Sequence, residues 1–451
     1  MEGSLHKVHD AEKLFYYFFS ENESNNLILR LVLRSRIDKF ILKKALNKTL
    51  ERYPNFRQTP VLDKDGYLYT RDNDQAAEVY AYDPDPVNLA SKETNGYLFR
   101  VMYEGDTLWI SIFHSLCDGT GFKMFTRSLL YYYFTFSGMQ IRNEDNHILT
   151  TVVAADPSEL SDPFLVETDT KAAAKSDPSV AQDGVNPFKP TDFEDVFILP
   201  ESVKQPDQCR DFGLCRYILD TERLLQKAKS LGTTVDTYIH LLTARMIHDS
   251  YQVGDKLITG IGTIDMRSFY DNKYLQNHVE LFWISYAKAF FGLSDSDACD
   301  IIRKQFKEPQ LQKALFDMTL EGKRNHYRDL FDFPITDARR LQVMRQVMWY
   351  TPEIVSTYFT TNLIQLDLGQ DLDPLVAHVD IYGAAIFREP VLFILTHNGE
   401  TSVNLVQRNL SRYFPARLKE AFRKEGLLVS ASLGDSFETD KLRIGDIPVV
   451  Y

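Results

Sequence analysis

The stretch Tyr97–Phe134, YLFRVMYEGDTLWISIFHSLCDGTGFKMFTRSLLYYYF, constrains the fold more than any other. Two β-rich runs, Tyr97–Tyr103 and Leu108–Phe113, are joined by Glu104-Gly105-Asp106, a hairpin signal. The second run leads into His114-Ser-Leu-Cys-Asp118-Gly119, and a helix is expected from about Gly121 to Phe136. An antiparallel pair followed directly by an amphipathic helix demands a sheet covered by helices. The rest of the chain repeats that mixture. Leu27–Leu33 reads as a strand, and Asp38 caps a helix Lys39–Arg52 whose apolar positions form one face. Asp65-Gly66 and Asn398-Gly399 mark further hairpins. Later strands are expected near Leu214–Leu219, Lys256–Asp265, Glu280–Phe291, Ser356–Leu368, Val376–Phe387, Val391–His397 and Thr401–Gln407. Helices are expected over Thr221–Ser230, from the cap Thr234 to about Ser250, in parts of Ser296–Tyr350 and near Pro415–Lys424. Strands and helices alternate without βαβ regularity, so the fold class is α+β with mixed sheets.

Composition removes several alternatives. With 44% hydrophobic and 25% charged residues, the chain is neither disordered, collagenous nor a coiled coil. Acidic residues outnumber basic ones 63 to 51, a net charge of -12, which argues against nucleic-acid binding. No apolar run approaches the roughly 18 residues of a membrane span. The opening MEGSLHKVHDAEK lacks a basic region followed by an apolar one, so the cytoplasm is the expected location. The 30 Phe and 24 Tyr residues predict large cores or an aromatic-lined cavity, and composition leaves both open.

Residues Ala154–Asp192 are rich in Pro, Asp, Ser and Ala with few periodic apolar positions, and read as a linker or mobile loop. They separate residues 1–153 from 193–451. Cys117, Cys209, Cys215 and Cys299 are too scattered for a disulfide framework or a zinc site. His240 and His248 are too far apart on one helix to share a metal, so no metal is expected. Neither nucleotide-binding glycine pattern occurs. Ser115 and Cys117 flank His114 at spacings poorly suited to a nucleophile–base pair.

His114 stands at a strand end, with Asp118 four residues on. A neutral imidazole is available as a base near pH 7, and a nearby carboxylate can fix the turn or pair with an arginine. Gly119 permits an approach that a side chain would block. On these residues alone, a catalytic and a structural histidine both remain open.

The whole arrangement resembles the superfamily of CoA-dependent acyltransferases. That group includes chloramphenicol acetyltransferase, the plant H-x-x-x-D acyltransferases, alcohol acetyltransferases and the condensation domains of peptide synthetases. ALNKTLERYPNFR (Ala45–Arg57) is similar to the early helix and Pro-Phe-Arg turn of the group. GIGTIDMRSFYDNKYLQNHVELF (Gly260–Phe282) is similar to its strand ending in V-D-x-R, and YFTTNLIQLDLG (Tyr358–Gly369) to the strand before its crossover.

The resemblance implies two chloramphenicol-acetyltransferase-like lobes, residues 1–153 and 193–451, with a crossover at about 366–387 and a tunnel between them. His114 would be the general base, Asp118 a structural carboxylate paired with Arg267, and Gly119 the glycine of close approach. Asn277 would hold the channel, or else cap the strand at Glu280. Thr360, Thr361 and Asn362 are candidates for the oxyanion, or simple strand formers. Phe113 replaces the first of the two histidines many relatives carry; with Phe122, Phe125 and Tyr131–Tyr133 it is expected to wall a pocket. The plant D-F-G-W-G signature is absent, and no carrier or adenylation segment accompanies the motif. The implied activity is transfer of an acyl group from acyl-CoA, a co-substrate rather than a bound cofactor, to a small hydrophobic alcohol or amine. The rivals are a carrier-protein thioester as donor and a catalytically inactive binding relative.

Overall fold

The computed structural model describes residues 5–17, 25–143, 147–162, 195–203, 212–270, 275–306, 335–348, 356–384, 389–442 and 447–450. Strand β1 (Leu5–Lys7), helix α1 (Asp10–Tyr17), β2 (Asn26–Leu33) and α2 (Lys39–Leu50) come first. They are followed by β3 (Gln58–Leu62), β4 (Leu68–Asp72), β5 (Val79–Ala81), β6 (Phe99–Glu104), β7 (Thr107–Phe113) and α3 (Gly119–Phe136). Next come β8 (Phe212–Asp220), α4 (Thr221–Ser230), α5 (Val235–Ser250), β9 (Ile258–Asp265), β10 (Val279–Tyr286), α6 (Asp295–Phe306) and α7 (Asp337–Met348). The chain closes with β11 (Tyr358–Gln365), β12 (Val376–Gly383), β13 (Val391–His397), β14 (Glu400–Gln407), α8 (Tyr413–Lys424) and β15 (Leu428–Phe437).

Local chemistry sets most of these boundaries. Asp38 caps α2 by accepting from the amides of Phe40 and Ile41 at 2.8 and 3.1 Å. Thr234 caps α5 through the Thr237 amide. Helix α3 begins at Gly119, earlier than its apolar periodicity suggests, because Asp118 is its N-cap and accepts from the Thr120 and Gly121 amides. Asn398 and Gly399, with φ of 46° and 81°, turn β13 into β14 as a primed hairpin requires. Strand β15 was not legible as a strand; LVSASLGDSF has little apolar alternation, and it is held at the sheet edge by pairing with β8.

Three sheets result: five strands in the order β12-β2-β7-β6-β5, seven in the order β10-β9-β11-β13-β14-β8-β15, and three in the order β1-β4-β3. Strand β11 runs parallel to β9 and β13 while most other pairs are antiparallel, so the chain is α+β with mixed sheets. The central strands of the seven-stranded sheet are buried on both faces. Phe359, Val391, Phe393 and Leu395 join one core with the five-stranded sheet and α1–α3. Tyr358, Leu392, Ile394, Val403 and Leu405 join a second with α4–α6 and α8. Burial on both faces explains why VLFILTH is continuously apolar rather than alternating.

Strand β12 ties the two larger sheets together. It pairs with β2, although its chain neighbours β11 and β13 lie in the other sheet. Asn404 of β14 donates to the Ile381 carbonyl at 2.8 Å. The buried Asp380 carboxylate meets Arg30 at 3.1 Å, His378 at 3.0 Å and Arg216 of β8 at 3.8 Å.

The expected linker is described only over residues 154–162. Within these opening residues, Ala154, Asp156, Pro157 and Ser158 are exposed, and Glu159 is the buried anchor. Pro157–Leu160 form a short 3-10 turn. Buried Glu159 takes both Arg52 amino groups, at 2.7 and 2.8 Å, and its carbonyl accepts from the Leu275 amide at 2.9 Å. A buried carboxylate cannot be left without such a partner. Residues 163–192, Cys209, and the middle of the helical stretch at 307–334 lie outside the described residues.

Candidate active site

Strand β7 ends at Phe113, and the next residue is pinned through its main chain on both sides. The His114 amide donates to the Asn25 carbonyl at 2.7 Å, and its carbonyl accepts from Asn277 Nδ2 at 2.8 Å. Asn277 therefore holds the histidine loop and does not cap β10. Asn55, in the turn after α2, donates to the Leu116 carbonyl at 2.8 Å. The imidazole is half-buried, with Nδ1 sealed from solvent and without a hydrogen-bond partner. Phe15 of α1 lies flat on it, ring centroids 4.7 Å apart and planes 13° from parallel.

Asp118 fixes the rest of the loop. Arg267 Nη1 donates to its Oδ2 at 2.8 Å and Nη2 to its Oδ1 at 3.1 Å. The His278 amide donates to Oδ2 at 2.9 Å, and the helix amides take Oδ1. Arg267 also donates to the Gln276 carbonyl at 2.6 Å and to Asp265 at 3.1 Å. Asp265 closes the circuit by accepting from Thr120 Oγ1 at 2.8 Å. One guanidinium thus joins the end of β9, the approach to β10 and the start of α3. The carboxylate makes its hydrogen bonds within this network.

The electrostatics follow from burial. Burial pushes the Asp118 carboxyl up, but the Arg267 guanidinium and the amide donors outweigh it and hold it below the ordinary range. Burial lowers the His114 pKa below its usual 6.5, and its own main chain, the Asp118 charge and Asn277 offset this only in part. Its imidazole is therefore neutral at pH 7, the form that can accept a proton. His278 is pushed down to about 4, by burial first and by Arg267 second.

Both glycines after the aspartate are required by contact. A Cβ on Gly119 would meet Leu363 Cδ2 at 2.8 Å; on Gly121 it would meet the Leu275 carbonyl oxygen at 2.1 Å. Gly119 was expected to be the glycine of close approach, but Gly121 makes the tighter one, against main chain. Phe15, Gly121, Asn25, Asn55 and Asp265 are site residues that sequence reasoning missed. Gly121 was visible as the second glycine of the loop; nothing local marked Phe15.

Several expected side chains are placed elsewhere. Thr360 Oγ1 is 2.8 Å from His240 Nε2, on the face of β11 that packs against α5, so it turns away from His114. Thr361 shares the opposite face with Leu363, which touches Gly119, so it faces the α3 side. Asn362 caps a local turn by accepting from the Ile364 amide at 2.8 Å. Phe113 is wholly buried with its ring edge-on to Tyr16, at 5.1 Å. Phe125 stacks on Phe56 at 4.2 Å and meets Tyr53 edge-on at 5.3 Å. Tyr133 accepts from the Asp38 amide and Tyr132 reaches Thr151. These rings pack into the core between α2, α3 and the sheet.

A cavity of about 560 Å³ opens farther along α3, between Arg127, Arg142, His147 and residues 367–372. Its arginines are engaged: Arg127 donates to the carbonyls of His147 and Asp367, and Arg142 pairs with Asp371 at 2.6 Å. Among the described residues no cluster of His, Cys, Asp and Glu is suited to a metal, and no helix is long and apolar enough to cross a membrane.

No protein-family model matches the sequence, and no curated protein matches it. Solved structures do match in fold. Polyketide synthase associated protein 5 from Mycobacterium tuberculosis superposes with a TM-score of 0.60 at 12% identity, over 94% of this chain and 97% of that one. A variant of the starter condensation domain of rhizomide synthetase, in complex with C8-CoA, gives 0.59 at 12% identity over 96% of each chain. The trichothecene 15-O-acetyltransferase from Fusarium sporotrichioides gives 0.54 at 11% identity, over 93% and 94%. The chain therefore shares its fold with these three structures.

Proposed function

We propose that the chain is an acyltransferase that moves an acyl group from acyl-CoA to an alcohol or amine, with His114 as general base. The observation that carries this reading is the fixed, neutral, half-buried imidazole at the end of β7. It is clamped by Asn25 and Asn277 and followed by a loop that Asp118 and Arg267 lock in place. A histidine kept only for packing needs no such two-sided main-chain clamp. The fold is shared with an acetyltransferase and with a domain that holds an acyl-CoA.

In the proposed reaction the remaining ring nitrogen, Nε2, takes the proton of the acceptor hydroxyl or amine. The freed oxygen or nitrogen attacks the thioester carbonyl carbon. The tetrahedral oxyanion, for which Thr361 is the candidate partner, collapses and expels the CoA thiolate. The imidazolium returns the proton to that sulfur, leaving ester or amide and free CoA. No acyl-enzyme forms, and no metal or permanently bound cofactor takes part. Asp118, Gly119 and Arg267 act by holding the loop, and Asn277 by holding the histidine itself.

Condensation domains among the structural neighbours support a second reading, in which the donor thioester is carried on a protein. Following free-thiol release from acetyl-CoA and longer acyl-CoAs across alcohols and amines, beside a carrier-bound acyl donor, separates the two. Release from the carrier alone overturns the CoA assignment; release from neither donor overturns the transferase.

A further inference from the structure

We infer that Phe15 of α1 is a positioning residue for the His114 imidazole, holding the ring at a fixed tilt by stacking on one face. The inference deepens the general-base reading above and rests on it for its catalytic meaning. Helix α1 is anchored independently of Phe15. Lys13 pairs with buried Asp337 of α7 at 3.2 Å, and the preceding His9 reaches the Leu160 carbonyl at 3.1 Å. Tyr16, nearly inaccessible, packs edge-on against Phe113. The fourth side chain on this stretch, Phe15, is only partly buried, and its partner is the imidazole at 4.7 Å and 13°.

The stack supplies what the rest of the site lacks. Main-chain clamps fix the His114 backbone, but its Nδ1 has no hydrogen-bond partner to set the ring rotation. In many catalytic histidines that second nitrogen is tethered, and the tether sets ring orientation. Here a flat apolar ring does it, and it also keeps water off one imidazole face. The charged group that acts on the ring is Asp118 of its own loop, and Asn277 is its polar neighbour from the approach to β10. Removing the phenyl ring admits water, so the imidazole pKa should rise toward its ordinary value.

The test uses the full chain with Phe15→Ala, Phe15→Leu and Phe15→Tyr. Histidine-labelled NMR follows His114, assigned by the signal lost in His114→Ala. The His114 ring protons should be shifted upfield by the stacked phenyl in the wild type and in Phe15→Tyr. That shift should vanish in Phe15→Leu and Phe15→Ala, and in Phe15→Ala the titration midpoint should rise toward about 6.5. In the thiol-release assay Phe15→Ala should lower kcat about ten- to a hundredfold, the scale of a misplaced catalytic group. KM for acyl-CoA should stay nearly constant, the acid limb of kcat/KM should move up, and Phe15→Tyr should restore both. Should alanine not fold, leucine carries the same spectral test while filling the space. An unchanged upfield shift in Phe15→Leu, or an unchanged midpoint in folded Phe15→Ala, overturns the inference. Because the NMR result does not depend on turnover, a wild type that releases no thiol sinks the transferase reading and leaves this one to its own outcome.

Discussion

At the scale of the residue, the site is governed by what each atom would lose if its partner were removed. Asp118 accepts hydrogen bonds from two helix amides, the His278 amide and both Arg267 amino groups. Asp118→Ala leaves the Arg267 guanidinium, nine-tenths buried, with only half its ion pairing. Such a loss costs roughly 3–5 kcal/mol, so urea denaturation should show a drop of that order together with lost activity. An unchanged midpoint would mean that the pair contributes nothing to the loop. The two glycines can be ranked. Gly119→Ala presses on the end of a leucine side chain, which can rotate; Gly121→Ala presses on the Leu275 carbonyl, which is main chain. Gly121→Ala should therefore be the more destabilising, by roughly 1–3 kcal/mol or more, and calorimetry on the two variants decides. The ion pair joins residues 149 positions apart. No local spacing reveals such a contact, and only the family resemblance pointed to it. Gly121, by contrast, stands in the loop for anyone to see, but its need depends on a carbonyl brought in from elsewhere.

At the scale of the element, α1 carries consequences out of proportion to its length. Its Glu12 is pushed up to about 8 from the usual 4.5, by burial first and by the neighbouring Asp162 charge second. Between those two values the folded chain keeps a proton that the unfolded chain has released. Its stabilising share is complete below pH 4.5 and is lost as pH rises through about 8. Glu12→Gln, neutral throughout, should gain melting temperature over the wild type as pH is raised from 5 to 8.5. A difference that does not vary with pH would contradict the burial of a protonated acid. The aromatic run that contains Phe15 drew no functional reading from the sequence, since a short apolar run carries no sign of what it will cover. Strand β11 shows the complementary difficulty. With the central strands of its sheet buried on both faces, side-chain type cannot say which residues face the site, and Thr360 and Thr361 read alike until the cores are known.

At the scale of the whole molecule, the site is assembled from distant parts: α1, the end of β7, the start of α3, the turn after β9 and the approach to β10. The α+β class and most element positions were legible, because caps, hairpin glycines and apolar runs are local signals. The sheet order was not legible locally, because pairing β12 with β2 is a long-range event that no periodicity encodes; only the resemblance, with its crossover at about 366–387, pointed toward it. Part of the aromatic excess is packing that braces α2 and α3 behind the loop.

The claim on which the rest depends is that His114 removes the acceptor's proton. Free-thiol release from acyl-CoAs, with a panel of alcohols and amines, should fall about 10²- to 10⁴-fold in His114→Ala, the usual worth of a general base. Circular dichroism of the variant should be unchanged. Equal rates for the wild type and His114→Ala with every active donor and acceptor would contradict the account.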